Sequence, residues 1–292
     1  MKSFLLITVI LILKITLILS KKECGIVFND KRNNDILNKR SISKIVGGDI
    51  SSNNSWPWIV QIAIKKNNQV VCGGALISDD LVLTVAHCFR DGKTNKSEHL
   101  RVYYGSNVMF EKEYVDVEDI SKHPSFFFEY DRAGYDISLL KLKEKVKFDF
   151  TTFPLCLPDE DVKVSDICFA AGFGYDKENG YQSEYLKEIL VPVMPMSLCN
   201  DEDHYGGIVD EKSNFCGGYS SGIKDICQGD SGGPLMCLND DIWKAQGIAS
   251  WGHGCGRLYR PGVYSNVNKL KPWIVSQLKK YKKNITDFYE NE

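Results

Sequence analysis

The sequence predicts an all-β fold, a barrel or a sandwich, followed by one helix near the C-terminus. Two observations carry that expectation. From Trp56 onward short apolar or alternating runs recur with turn residues between them. They fall at Trp58 to Ile64, Val70 to Ile77, Leu81 to Val85, Leu100 to Tyr104, Asp136 to Leu142 and Ile242 to Trp251. Runs of this length and spacing make strands. Helical periodicity is clear in one place, where Pro272 suits a first turn and Trp273, Ile274, Leu278 and Tyr281 follow as an apolar stripe. Lys279, Lys280, Lys282 and Lys283 crowd the last turn, where cations favour the helix dipole. Thr286 to Glu292 read as a frayed end.

Ahead of the strand-rich part, residues 1–20 hold Lys2 and an apolar run from Phe4 to Leu19 that Lys14 interrupts. That run is too short for a comfortable membrane span and reads as a cleaved secretory signal. Residues 21–44 are polar, rich in Asn, Lys and Arg, and read as a prosegment ending in Ser41-Ile42-Ser43-Lys44. Composition changes at Ile45-Val46-Gly47-Gly48, which marks the start of the domain, residues 45–292.

The 292 residues include 36 basic and 38 acidic ones. Loss of residues 1–20 removes Lys2 and Lys14, leaving 34 against 38, which argues against a nucleic-acid partner. Ten cysteines, spread along a chain with a secretory leader, predict disulfides and an extracellular location. There is no C-x-x-C pair and the five histidines are scattered, so neither a metal nor another cofactor is expected. Asn53, Asn95 and Asn284 each open a glycosylation sequon.

The chemistry concentrates in Asp225-Ile226-Cys227-Gln228-Gly229-Asp230-Ser231-Gly232-Gly233-Pro234. A run this rich in glycine forms turns whose backbone N–H groups can converge on a ligand. His87 closes an apolar strand beside Cys88, and Asp136 opens another run that must be mostly buried, a costly place for an unpaired carboxylate. Histidine, aspartate and then serine in a glycine-rich turn is the chain order of one of the known catalytic triads.

Together, Ile45-Val-Gly-Gly, Val85-Ala-His87-Cys, Asp136-Ile-Ser-Leu-Leu, Gly229-Asp-Ser231-Gly-Gly-Pro and Ser250-Trp-Gly resemble the chymotrypsin-like (trypsin family) serine proteases, from Ile45 to about Lys280. The resemblance implies two six-stranded antiparallel β-barrels, about 45–158 and 159–270, with a C-terminal helix at about 271–283. It implies a nucleophile Ser231, a base His87, an orienting Asp136 and an oxyanion hole made by the N–H groups of Gly229 and Ser231. Ser250 would support Asp136. Asp225 would sit at the base of the specificity pocket, with Gly252 and Gly262 keeping its walls open, and would select Arg or Lys before the scissile bond. Ile226 departs from the family, which usually has serine or alanine there, and a preference for Arg over Lys is expected. Val85 and Phe173 stand where alanine and tryptophan are usual.

The resemblance also implies activation. Cleavage after Lys44 by an upstream trypsin-like protease would free the Ile45 ammonium to pair with Asp230. Spacing alone allows on the order of a thousand cysteine pairings. The family positions give Cys72–Cys88, Cys168–Cys237, Cys199–Cys216 and Cys227–Cys255. Cys24–Cys156 remains, and would tether residues 21–44 as a light chain. The segment Gly105 to His123 is shorter than in calcium-binding trypsins, so Glu111 and Glu113 are not assigned to a metal. Loops around His99, Phe126-Phe127-Phe128 and His204 are expected to shape extended specificity. Partners would be protein or peptide substrates and serine protease inhibitors. The alternative is a non-catalytic homologue that acts as a binding or cofactor module.

Overall fold

In chain order the first half contains β1 (Asp49–Ile50), β2 (Ile59–Ile64), β3 (Gln69–Ser78), β4 (Leu81–Thr84), β5 (Leu100–Tyr104), β6 (Glu113–Lys122), the short hairpin β7 (Phe127–Glu129) and β8 (Arg132–Gly134), and β9 (Ser138–Leu142). Six of these close an antiparallel barrel in the order β2-β3-β4-β9-β6-β5. Trp58, Ile62, Leu76, Leu83, Val102 and Leu139 belong to the main core cluster, all fully buried. The computed structural model describes residues 24–27, 48–111, 113–130, 132–164, 166–222 and 225–289. The leader, most of the prosegment and the junction between Lys44 and Ile45 lie outside the described residues.

The second half contains β10 (Ile167–Gly172), β11 (Lys187–Pro192), the one-turn helix α1 (Met196–Cys199), β12 (Asn214–Gly217), β13 (Pro234–Asn239), β14 (Ile242–Trp251), β15 (Gly262–Asn266) and the helix α2 (Lys271–Lys280). Its strands form a sheet in the order β1-β11-β10-β13-β14-β15-β12. The edge strand β12 meets the chain leaving β11 through an antiparallel bridge between Val193 and Gly217. Met194 N–H donates to Cys216 C=O and Gly218 N–H to Pro192 C=O, both at 2.9 Å. Those bonds curl six strands into a second barrel. β1 is added outside it on β11, so Asp49 and Ile50 belong to the second sheet and not to the first barrel.

Five disulfides brace the chain: Cys24–Cys156, Cys72–Cys88, Cys168–Cys237, Cys199–Cys216 and Cys227–Cys255. Residues 24–27 lie against the second barrel, where Gly25 N–H donates to Pro154 C=O at 2.8 Å and Trp243 N–H to Gly25 C=O at 3.0 Å. Gly25 must be glycine: its φ is +70°, and a Cβ would sit 2.5 Å from the Trp243 carbonyl.

The helix α2 stops earlier than its lysine-rich turn suggests. Lys282 takes a left-handed φ of 57°. Lys283 N–H then reaches back to Leu278 C=O, and Lys282 N–H to Lys279 C=O, the pairing of a Schellman stop. The segment beyond is not frayed as expected. A 3-10 turn at Ile285–Phe288 buries Phe288 in the main core, and Leu157 N–H donates to its carbonyl. No helix among the described residues is long and apolar enough to cross a membrane.

Candidate active site

β4 and β9 pair so that Thr84 faces Ser138. The chain therefore leaves β4 toward His87 beside the point where it enters β9 from Asp136. Asp136 is fully buried, which its hydrogen bonds make tolerable. Backbone N–H groups of Ala86 and His87 donate to Oδ1, each at 2.8 Å. Ser250 O–H donates to Oδ2 at 2.6 Å, and His87 Nδ1 lies 2.7 Å from the same oxygen. An ionised carboxylate only accepts, so this contact holds the proton on Nδ1 and leaves Nε2 as the free basic nitrogen. Ser265 O–H also donates to the Asp136 backbone carbonyl at 2.7 Å, fixing the residue from below.

Ser231 sits on the loop before β13. Its carbonyl accepts from Gly73 N–H of the first barrel at 2.8 Å, and Gly232 N–H donates to Ala249 of β14 at 2.8 Å. Gly232 has φ +85°, and a Cβ there would lie 2.2 Å from Thr84 Oγ1. Gly229 has φ +93°. Among the described residues neither Gly229 N–H nor Ser231 N–H donates to a protein acceptor, so both are open to a ligand. His87, Ser231, Ser250 and Asp225 line one cleft of about 650 Å³, together with Phe128 and Trp251. Among the described residues no hydrogen bond joins Ser231 to the imidazole; such contacts commonly tighten only when substrate arrives.

Asp225 lies deeper in the same cleft. Its carboxylate accepts from Ile226 N–H at 2.9 Å and Gly256 N–H at 3.1 Å. Burial pushes its pKa up to about 7 in spite of those donors, and the nearby Asp230 charge adds to the rise. Ile226 packs against the second core cluster and also lines the cleft. A Cβ on Gly262 would come within 3.1 Å of Asp225 Oδ1, whereas one on Gly252 would meet nothing closer than 3.8 Å. Tyr264, which the sequence did not single out, adds a buried hydroxyl without a partner among the described residues, close enough to lie 3.4 Å from that same Gly262 Cβ.

Asp230 is turned away from the triad residues. It caps its own loop by accepting from Cys227 N–H at 3.0 Å and takes a second bond from Gly174 N–H at 2.8 Å. Burial raises its pKa to about 6. It borders a cavity of about 180 Å³ that adjoins the cleft, the two sharing Asp225, Ile226, Cys227 and Cys255 in their walls.

The expected specificity loops divide. Phe128, on β7, approaches the His87 ring at 5.9 Å between centroids, and the Arg90 guanidinium lies 3.8 Å from the Phe128 ring centroid. His99 instead borders a hollow with Lys66 and Gln69, away from the cleft. His204 is buried between Asp201 Oδ1 at 2.7 Å and Ser220 Oγ at 2.9 Å, so it holds its loop and does not line the cleft. Cys72, His87 and Cys88 offer ligand atoms within 4.8 Å of one another, but both cysteines are spent in their disulfide. Glu111 and Glu113 bind Ser106 and Tyr104 hydroxyls. The three sequon asparagines are exposed.

Two antiparallel barrels with a histidine–aspartate pair and a glycine-rich serine loop at their junction define a chymotrypsin-like serine protease fold. The chain belongs to the trypsin family, whose model (Trypsin) matches residues 45–274. It is 37% identical over 243 residues to coagulation factor XI of Bos taurus, an overlap covering 80% of this chain and 38% of that relative. The chain thus spans well under half the length of that protein.

Proposed function

We propose that the chain is the precursor of a secreted serine endopeptidase that hydrolyses peptide bonds after Arg, and after Lys more slowly. The observation that supports this best is the four-fold anchored Asp136–His87 pair lining the same cleft as Ser231 and Asp225. Asp225 receives the guanidinium of the residue before the scissile bond, and a bidentate pair recovers the ionisation that burial opposes. Ile226 offers no hydroxyl to an ammonium, which is the reason for Lys being second. His87 Nε2 takes the Ser231 proton as Oγ attacks the carbonyl carbon, and the N–H groups of Gly229 and Ser231 receive the developing oxyanion. His87 then protonates the leaving amine, and water repeats the cycle on the acyl-enzyme.

Cleavage after Lys44 switches the site on by releasing the Ile45 ammonium to Asp230. The exposed sequons and the five disulfides suit secretion, and the likeness to a coagulation factor agrees with protein substrates and protein inhibitors. Labelling by a radioactive fluorophosphonate tests the reading. Protein cleaved after Lys44 is expected to take up one label at Ser231 and to hydrolyse an Arg peptide substrate at least about tenfold faster than its Lys twin. No label in the correctly cleaved protein would instead support a non-catalytic binding homologue, and equal kcat/KM for the two substrates would remove the role given to Ile226.

A further inference from the structure

Asp230 has a lysine within reach. Gly172 in β10 and Lys187 in β11 are directly paired across the antiparallel ladder, so their side-chain positions share one face of the sheet about 4.5–5.5 Å apart. Gly172 has no side chain, and the space is taken by Asp230: a Cβ built on Gly172 would stand 2.1 Å from Asp230 Oδ1. The Asp230 carboxylate therefore occupies the place beside Lys187 that a cross-strand partner would fill. The lysine's flexible four-carbon stem spans that distance with its ammonium to spare.

Three further observations agree. Lys187, Gly172, Gly174 and Asp230 border the same cavity of about 180 Å³, which has room for an ammonium. Lys187 makes no ion pair or side-chain hydrogen bond among the described residues, although it is only partly exposed. Burial and the backbone donors Cys227 and Gly174 act on Asp230 most strongly, and among the described residues the Lys187 cation favours its charged form.

We propose that in the uncleaved chain Lys187 serves as an internal counter-ion for Asp230, in the place the Ile45 ammonium takes after cleavage, so that a fraction of the single-chain molecules holds the nucleophile loop in its working arrangement. The inference rests on the activation reading above. Lys187 is a positioning residue: it touches neither substrate nor the reacting atoms. It biases a two-state loop by pairing with one of its states, and the fraction competent sets the measured activity. In cleaved protein the α-ammonium holds the site and the lysine becomes redundant.

The test uses the full chain made uncleavable by Lys44→Gln, with Ser231→Ala as the blank. Uncleaved protein is expected to show a residual kcat/KM on an Arg peptide of roughly 1% of the cleaved enzyme, with KM raised and fluorophosphonate labelling slow. Adding Lys187→Met should lower that residual activity at least about tenfold, Lys187→Arg should keep most of it, and cleaved Lys187→Met should stay within about threefold of the cleaved parent. The last measurement also shows that the variant folds. Residual activity at the level of the blank, or unaltered by Lys187→Met, would overturn the role of Lys187. If cleavage after Lys44 fails to raise the activity of the native chain, the activation reading itself falls, whatever Lys187 does.

Discussion

Asp136 is a fully buried carboxylate and Asp225 a partly exposed one in the cleft, and their surroundings differ. Asp136 takes four donors on its two oxygens. Asp225 takes two backbone N–H groups, pairs with no cation among the described residues, and is pushed by burial to a pKa of about 7. A carboxyl raised in the folded state is protonated where the unfolded chain is already ionised. The empty pocket therefore costs stability as pH climbs from about 4 to about 7. A bound amidinium reverses the shift, so ligand binding below pH 7 expels a proton. Benzamidine affinity of the cleaved Ser231→Ala protein is expected to rise about tenfold per pH unit up to about pH 7 and then to level off. Calorimetry in two buffers of different ionisation enthalpy should register the released proton. A flat profile from pH 5 to 8 would mean that Asp225 does not face the ligand. Residue identity was legible from the sequence here, but the orphan Tyr264 hydroxyl was not, because nothing local marks a tyrosine whose partner is missing.

At the scale of elements, turns and strands were read with unequal success for physical reasons. β2, β3, β4, β5 and β14 carry apolar content that announces them: the limits of β5 and β14 are the expected ones, those of β2 and β4 differ by one residue at one end, and those of β3 by one residue at each end. β6 was passed over: Val115 and Val117 point inward, but Asp116, Glu118 and Asp119 between and after them dilute the signal. The burial of Phe288 depends on a helix stop made by a left-handed lysine and on docking against Leu157, neither of which has a periodic signature. The loop carrying Ser231 was legible as glycine-rich, and its geometry explains the need. Gly232→Ala would drive a Cβ into Thr84 Oγ1 and the Gly73 carbonyl at a left-handed φ. A loss of roughly 2–4 kcal/mol is expected in denaturant unfolding of the Ser231→Ala background. Gly92→Ala, where a Cβ meets nothing within 4 Å, should change stability by less than about 0.5 kcal/mol.

At the scale of the whole molecule, Cys24 ties residues 24–27, part of the proposed prosegment, to Cys156 over 132 residues of chain. Cleavage after Lys44 should therefore leave one particle under native conditions and release a small N-terminal fragment only on a reducing gel; release without reductant would remove the tether. The same gel, followed over time, reports whether cleavage and gain of activity coincide. The two-barrel plan was legible only through family resemblance, since strand spacing alone fits a barrel or a sandwich equally well. The hydrogen bonds of the serine loop have a mechanical consequence. Gly73 of one barrel grips Ser231, and Ala249 of the other grips Gly232, each at 2.8 Å. Ser231, the proposed nucleophile, is thus a rivet through both halves, and any hinge motion that widened the cleft would have to shear it. Bulky substrates must be admitted by the rim, where the Phe128 hairpin stands, while the floor beneath the scissile bond stays still.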